Sequence, residues 1–86
     1  MVLNCELINQ KAELHEYIAK ELSFPEYYGK NLDALYDVLS DINEETLIEI
    51  ENFEKLKEKF GTYAEAFLDV LHDASEENEK IKYVLI

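Results

Sequence analysis

Apolar residues recur three or four positions apart in two stretches of the first half of the chain, the spacing that places them on one face of a helix. The first stretch runs from Lys11 to Leu22, and its apolar face carries Leu14, Tyr17, Ile18 and Leu22. The second follows Asn31, a good N-cap residue, and extends to about Ser40. Between them, Phe24-Pro25 favours extended backbone and Gly29 supplies flexibility, which predicts a loop over residues 23–30.

Two more helices are predicted in the second half. Asn52 and Gly61 bracket a short one, with Asn52 as a possible N-cap and Gly61 as a C-terminal stop. Thr62 and Glu65 then match a capping box at the start of a longer helix. Its apolar stripe, which predicts the face that packs on the core, consists of Tyr63, Ala66, Phe67, Val70, Leu71 and Ala74.

Three runs rich in β-forming residues indicate strands at residues 2–7, 47–50 and 81–86. In the middle run Ile48 and Ile50 alternate with acidic residues, which predicts one buried and one exposed face. Helices lie between successive strands, and such crossovers join parallel strands. The pattern predicts an α/β fold in a single domain, residues 1–86, with a small three-stranded parallel sheet and about four helices on one face. This scaffold leaves no deep cleft for a cofactor, so none is expected.

The charge of the chain is strongly one-sided. Its 86 residues include 20 acidic side chains against 8 basic ones, all of them lysine, for a net charge of −12. Nine of the acids and one lysine fall between Glu26 and Glu54. Because nucleic-acid binding draws its affinity from basic side chains at phosphates, this balance excludes nucleic acid and anionic membrane surfaces as partners. It favours a basic protein partner.

The location of the protein is predicted from its first residues and its single cysteine. Residues 1–12 show neither a basic leader nor an unbroken apolar run, and no stretch approaches the length of a membrane span. Cys5 has no partner for an internal disulfide and is expected to be a small buried residue. These features predict a cytoplasmic protein.

The second helix combines its apolar stripe with an acidic one, and Tyr36 lies on the border between them. Asp33 and Asp37 form a like-charge i, i+4 pair, which costs an isolated helix a few tenths of a kcal/mol. The helix dipole favours Asp33 in the first turn but not Asp37. Just upstream, Tyr27 and Tyr28 place two aromatic rings on a loop, where exposed rings favour recognition. The other interpretation is that Tyr28 and Tyr36 fill core edges and the carboxylates only solvate a helix.

The run from Leu22 to Asp37, LSFPEYYGKNLDALYD, closely resembles the motif LPEYYGxNLDALWD of the barstar family, intracellular inhibitors of the guanyl-preferring ribonuclease barnase. The resemblance extends over nearly the whole chain and is weakest between Ile42 and Lys59. It implies a barstar-like fold and a monomeric inhibitor, not an enzyme, that forms a 1:1 complex with a basic barnase-like ribonuclease.

The resemblance also implies a partner-binding surface centred on Asp37, which would enter the ribonuclease active site in place of a substrate phosphate. Tyr27 would pack on the enzyme, Gly29 and Asn31 would allow close approach, and Asp33 would contact basic groups. The full implied set is Tyr27, Tyr28, Gly29, Asn31, Asp33, Tyr36, Asp37, Ser40 and Asp73.

Several residues depart from the family pattern. Tyr36 stands where the motif has tryptophan, and Asp73 stands where barstar has glutamate. Asp41 and Ile42 replace a glycine and a tryptophan after the second helix, which adds charge and removes an aromatic ring. The smaller ring and the hydroxyl of Tyr36 are expected to alter the edge of the contact and the choice of enzyme.

Two alternatives compete with ribonuclease inhibition. Asp33 and Asp37 could act as an acid–base or metal pair, but no histidine or third acid is spaced to complete a coordination set, so no metal site is predicted. His15 and His72 are interpreted as ordinary surface or partly buried histidines. The chain could instead be an acidic mimic of nucleic acid that blocks a different basic protein or toxin, which composition alone supports equally well.

Overall fold

The computed structural model describes residues 1–86. Four helices, three strands and one 3₁₀ helix follow one another along the chain. They are β1 (Val2–Asn4), the 3₁₀ helix (Cys5–Leu7), α1 (Lys11–Glu21), α2 (Leu32–Ser40), β2 (Thr46–Glu51), α3 (Phe53–Phe60), α4 (Thr62–Glu77) and β3 (Ile81–Leu85).

The strands form one parallel sheet in the order β1-β2-β3, which confirms the predicted α/β fold. In its register, Leu3 of β1 lies opposite Ile50 of β2, and Ile48 lies opposite Tyr83 of β3. Ile48 and Ile50 are buried while Leu47 is exposed, so the helices cover one face of the sheet, as the alternation predicts. No helix is both long enough and apolar enough to cross a membrane.

One apolar core of 16 residues joins the sheet to the helices. Leu35 and Leu39 anchor α2 in it, while Phe67 and Leu71 of α4 are equally inaccessible to solvent. Burying side chains of this size stabilises the fold by about 1.5–3 kcal/mol each, as an upper estimate. Because Leu35 and Leu39 fix one face of α2 in the core, the opposite face is directed toward solvent.

The predicted first strand is too long. β1 ends at Asn4, where Asn4 Oδ1 accepts a hydrogen bond from the backbone N–H of Glu6 (3.1 Å) and turns the chain into the 3₁₀ helix. Cys5 is buried there as expected, and burial raises the pKa of its thiol to about 11. Tyr17 also departs from its predicted place on the apolar face of α1, because the residue is 38% exposed and its hydroxyl donates to the carbonyl of Val2.

The predicted caps of the last two helices are only partly right. Gly61 ends α3 with a left-handed φ of 57°, as expected of a glycine stop. The same residue is also the N-cap of α4, so Thr62 already lies in the first turn and forms no capping box. Asn52 caps no helix through its side chain, and its amide donates instead to Asn4 Oδ1 (2.9 Å).

Candidate protein-binding surface

The start of α2 is fixed by its cap and by the loop in front of it. Asn31 Oδ1 accepts a hydrogen bond from the backbone N–H of Ala34 (2.8 Å), which confirms Asn31 as the N-cap. Its amide nitrogen donates to the carbonyl of Gly29 (3.3 Å). A Cβ on Gly29 would lie 3.2 Å from that nitrogen, so a glycine lets the loop fold tightly onto the cap.

The two adjacent tyrosines of the loop differ completely in exposure. Tyr27 is 87% exposed, whereas Tyr28 is only 7% exposed. Tyr28 packs edge-on against Phe24, with ring centroids 5.0 Å apart, and its hydroxyl lies 2.6 Å from His15 Nδ1. The alternative interpretation, in which Tyr28 fills a core edge, is therefore confirmed for Tyr28, whose phenol has a hydrogen-bond partner inside the protein.

His15 connects the loop to two helices. Its Nδ1 meets the hydroxyl of Tyr28, and its Nε2 meets the hydroxyl of Tyr63, both at 2.6 Å. His15 is only 1% exposed, so its interpretation as a surface or partly buried residue is wrong. Burial lowers the pKa of His15 and raises the pKa values of Tyr28 and Tyr63. The three groups are therefore neutral at pH 7.

The hydrogen positions in this network follow from solvent access. A neutral imidazole has one donor and one acceptor nitrogen. The buried Tyr28 hydroxyl has no acceptor other than His15 Nδ1, so it donates there, and His15 Nε2–H donates to Tyr63. Tyr63 is half-buried and can direct its own proton to water. Each buried polar atom of the network is then satisfied.

The outward face of α2 is acidic and unneutralised. Asp33, Asp37 and Asp41 are exposed, and none of them belongs to an ion pair. Lys30, which precedes the helix, instead pairs with Glu16 of α1 at 3.0 Å. The negative field of this face is therefore available to a partner.

The remaining predicted site residues differ in access. Tyr36 is half-buried against the core, which confirms its border position. Ser40 is half-buried, and its Oγ is buried without a hydrogen-bond partner. Asp73 is exposed on α4.

The end of α2 is held by a residue that the sequence patterns do not indicate. The side-chain amide of Asn78 donates to the carbonyls of Leu39 (3.0 Å), Ser40 (3.3 Å) and Ile42 (2.8 Å). The Leu39 carbonyl also accepts the backbone N–H of Ile42 (3.3 Å). Asn78, at the end of α4, therefore adds donors to the carbonyls at and just after the end of α2. α2 is thereby fixed at both ends, by Asn31 and by Asn78.

The surface lacks the arrangement that metal chemistry needs. No group of three or more histidine, cysteine, aspartate or glutamate side chains is placed to hold a metal ion. The loop instead presents an exposed ring, Tyr27, and α2 presents the unpaired carboxylates of Asp33 and Asp37. An exposed aromatic ring can pack on a partner, and unpaired carboxylates can form ion pairs with it, so these groups suit contact with a basic protein.

A fixed acidic helix on a small α/β scaffold places the chain in a class of compact proteins with an exposed anionic face. The chain belongs to the barstar family, because it matches the family described as Barstar (barnase inhibitor) over residues 1–86. It is 40% identical over 65 residues to a protein of Bacillus subtilis (strain 168) named "Putative ribonuclease inhibitor YrdF". That alignment covers 74% of this chain and 71% of the relative. The family resemblance read from residues 22–37 is confirmed.

Proposed function

We propose that this protein inhibits a barnase-like ribonuclease by inserting the outward face of α2 into the active site of the enzyme. Asp37 takes the place of a substrate phosphate there. The observation that carries the proposal is the exposed Asp37 carboxylate, which has no ion-pair partner on a helix fixed at both ends. Membership of a family described as barnase inhibitors, and a relative named as a ribonuclease inhibitor, support it.

Charge explains how the two proteins would find each other. A ribonuclease binds a polyanion and so presents a basic cleft, while this chain carries a net charge of −12. Long-range attraction then raises the association rate, and salt weakens it. Steering of this kind has been measured on barnase and barstar themselves, so only its direction is predicted for this chain.

Asp37 would be the energetic centre because it must lose its water on docking. That loss is favourable only when several cations and hydrogen-bond donors of the enzyme replace the water. Acids at the edge of the contact keep most of their hydration and contribute less. Removing Asp37 should therefore accelerate dissociation, whereas removing an edge acid should slow association at low salt.

The other proposed contact residues divide by access. Tyr27, Gly29, Asn31, Asp33 and Asp73 are exposed and would touch the enzyme directly. Tyr36 and Ser40 are half-buried and would contribute through their accessible atoms. Tyr28 is buried, so its proposed role is to hold Tyr27 and Gly29 in position.

The proposed complex contains one inhibitor and one ribonuclease, and this chain acts in it as a binding protein and not as an enzyme. We propose the cytoplasm as its place of action, since the single cysteine suits a reducing compartment. This is also where an inhibitor would protect cellular RNA.

A mixing experiment tests the proposal against its main alternative. Increasing amounts of the chain are added to barnase, and in parallel to a basic DNA-binding protein on its DNA. Ribonuclease activity should fall to zero at one equivalent while DNA binding is unaffected. Loss of DNA binding, or barnase that stays active at excess inhibitor, would favour a general acidic mimic, which the charge of −12 alone also permits.

A further inference from the structure

A shallow pocket lies between the loop after α1 and the second half of α2. It has a volume of about 260 Å³ and is open to solvent. Most of its lining is apolar, and we call it the loop–helix pocket. Its apolar wall consists of Leu22, Phe24, Pro25, Tyr27, Val38 and Ile42.

Asp41 is the one charged residue in the lining of this pocket. It is the C-cap of α2, where the helix dipole is unfavourable to an anion. The carboxylate is exposed and has no ion-pair partner within the chain. The side chain of Asn78 is already occupied by the carbonyls of Leu39, Ser40 and Ile42. Nothing within the chain compensates the charge of Asp41.

The pocket is continuous with the proposed ribonuclease-binding surface. Tyr27 forms part of its wall, and Val38 follows Asp37 on the same helix. A ribonuclease that contacts Asp37 and Tyr27 would therefore also cover the pocket and remove water from Asp41. An apolar occupant would leave this carboxylate desolvated and unpaired, which is unfavourable.

We propose that the loop–helix pocket receives a lysine or arginine side chain of the bound ribonuclease. The methylene stem contacts the apolar wall, and the terminal cation pairs with Asp41. This inference rests on the proposed function and adds to it a second cation-binding position beside Asp37.

The test uses barnase as the probe and Asp41→Asn, which keeps the shape of the side chain and removes its charge. We expect binding to weaken about tenfold, mostly through faster dissociation, as for a desolvated charge pair. Glu44→Gln is the matched control, because Glu44 is exposed and does not line this pocket. It should lower only the association rate at low salt. Asp41→Asn should also raise the unfolding temperature slightly, which shows that its fold is intact.

A double-mutant cycle then identifies the occupant. Lysine-to-alanine and arginine-to-alanine variants of barnase are each combined with the wild-type chain and with Asp41→Asn. One of these barnase substitutions should weaken binding to the wild-type chain. The same substitution should change binding to the Asp41→Asn variant much less. If none shows this coupling, the pocket does not bind a basic side chain.

The failure of this inference can be told apart from failure of the proposed function. Wild-type affinity in Asp41→Asn, together with lost binding in Asp37→Ala, would overturn the pocket proposal and leave the inhibitor proposal intact. Absence of any binding between the wild-type chain and barnase would overturn both.

Discussion

The inner and outer sides of the molecule at the loop over residues 23–30, the tyrosine loop, differ in whether their polar groups are paired within the chain. The loop contributes adjacent residues to the two sides, Tyr28 to the inner one and Tyr27 to the outer one. On the inner side, Tyr28 and His15 are buried and their polar atoms are paired with each other and with Tyr63. On the outer side, Tyr27 and Asp37 are exposed, and the carboxylate has no ion-pair partner. The satisfied side stabilises the fold, and the unsatisfied side is available for a partner.

This difference separates two kinds of substitution. Changes on the inner side should lower folding stability, because they leave buried polar atoms without partners. Changes on the outer side should leave stability nearly unchanged and alter binding. A residue that violates this division would show that the two sides are coupled.

The largest expected effect is on the outer side. Asp37→Ala should weaken barnase binding by about 3–5 kcal/mol, or roughly 10² to 10⁴-fold, because the enzyme cations are left desolvated and unpaired. The unfolding free energy should not fall, since Asp37 has no partner within the chain. Surface plasmon resonance and urea unfolding of the same preparation measure both. A stability loss comparable to the binding loss would contradict the division.

On the inner side, Tyr28→Phe should lower the unfolding free energy by about 1–3 kcal/mol, because His15 Nδ1 becomes a buried acceptor without a donor. Urea unfolding measures the change. Tyr27→Phe is the matched control and should unfold as wild type does, since Tyr27 is 87% exposed. Equal stability of the two variants would show that the hydrogen bond to His15 contributes nothing.

Asn31 belongs to both sides, because it caps α2 and lies on the proposed contact surface. Asn31→Ala should lower stability by about 1 kcal/mol through loss of the cap on the Ala34 N–H. Asn31→Asp retains a capping oxygen and should restore stability. If Asn31→Asp restores stability but not barnase affinity, the amide itself contacts the enzyme, and full recovery of both would limit Asn31 to capping.

The inner side should also be sensitive to acid. Burial lowers the pKa of His15 below its ordinary 6.5, so below that pH the unfolded chain binds a proton that the folded chain resists. The contribution of His15 to the free energy of unfolding should therefore be constant above about pH 6.5. It should fall as the pH drops through the range between the pKa values of His15 in the unfolded and folded chains. Urea unfolding at a series of pH values measures this loss. His15→Gln should reduce this dependence, whereas the exposed control His72→Gln should retain it.

The smallest expected effect is at the edge of the outer side. Glu44→Ala should lower the association rate with barnase a few-fold at low salt and leave dissociation unchanged. Stopped-flow mixing at about 0.05 M and about 0.5 M salt measures it, because screening removes most of the difference at the higher concentration. A change in dissociation rate would place Glu44 within the desolvated contact.

The elements were predictable because each has a local signal. Periodic leucines placed α2, and alternation of Ile48 and Ile50 with acids placed the covered face of β2. The wrong boundaries arose where two signals competed, as at Thr62, whose capping pattern was overridden by the positive φ of Gly61.

The inner side could not be predicted because its contacts join residues far apart in the chain. His15 meets Tyr28 and Tyr63 from 13 and 48 positions away. Nothing in the periodicity distinguishes Tyr28 from Tyr27, since the choice depends on which hydroxyl finds a buried acceptor. The acidic face of α2 could be predicted from the sequence because exposed charges need no partner from a distant part of the chain.

Competition with a guanine mononucleotide tests the central claim most directly, because that ligand places its phosphate in the barnase active site. If Asp37 occupies the phosphate position, the apparent dissociation constant of the chain for barnase should rise in proportion to nucleotide concentration, and no ternary complex should form. A stable complex of inhibitor, barnase and nucleotide would show that the chain binds elsewhere and would contradict the account.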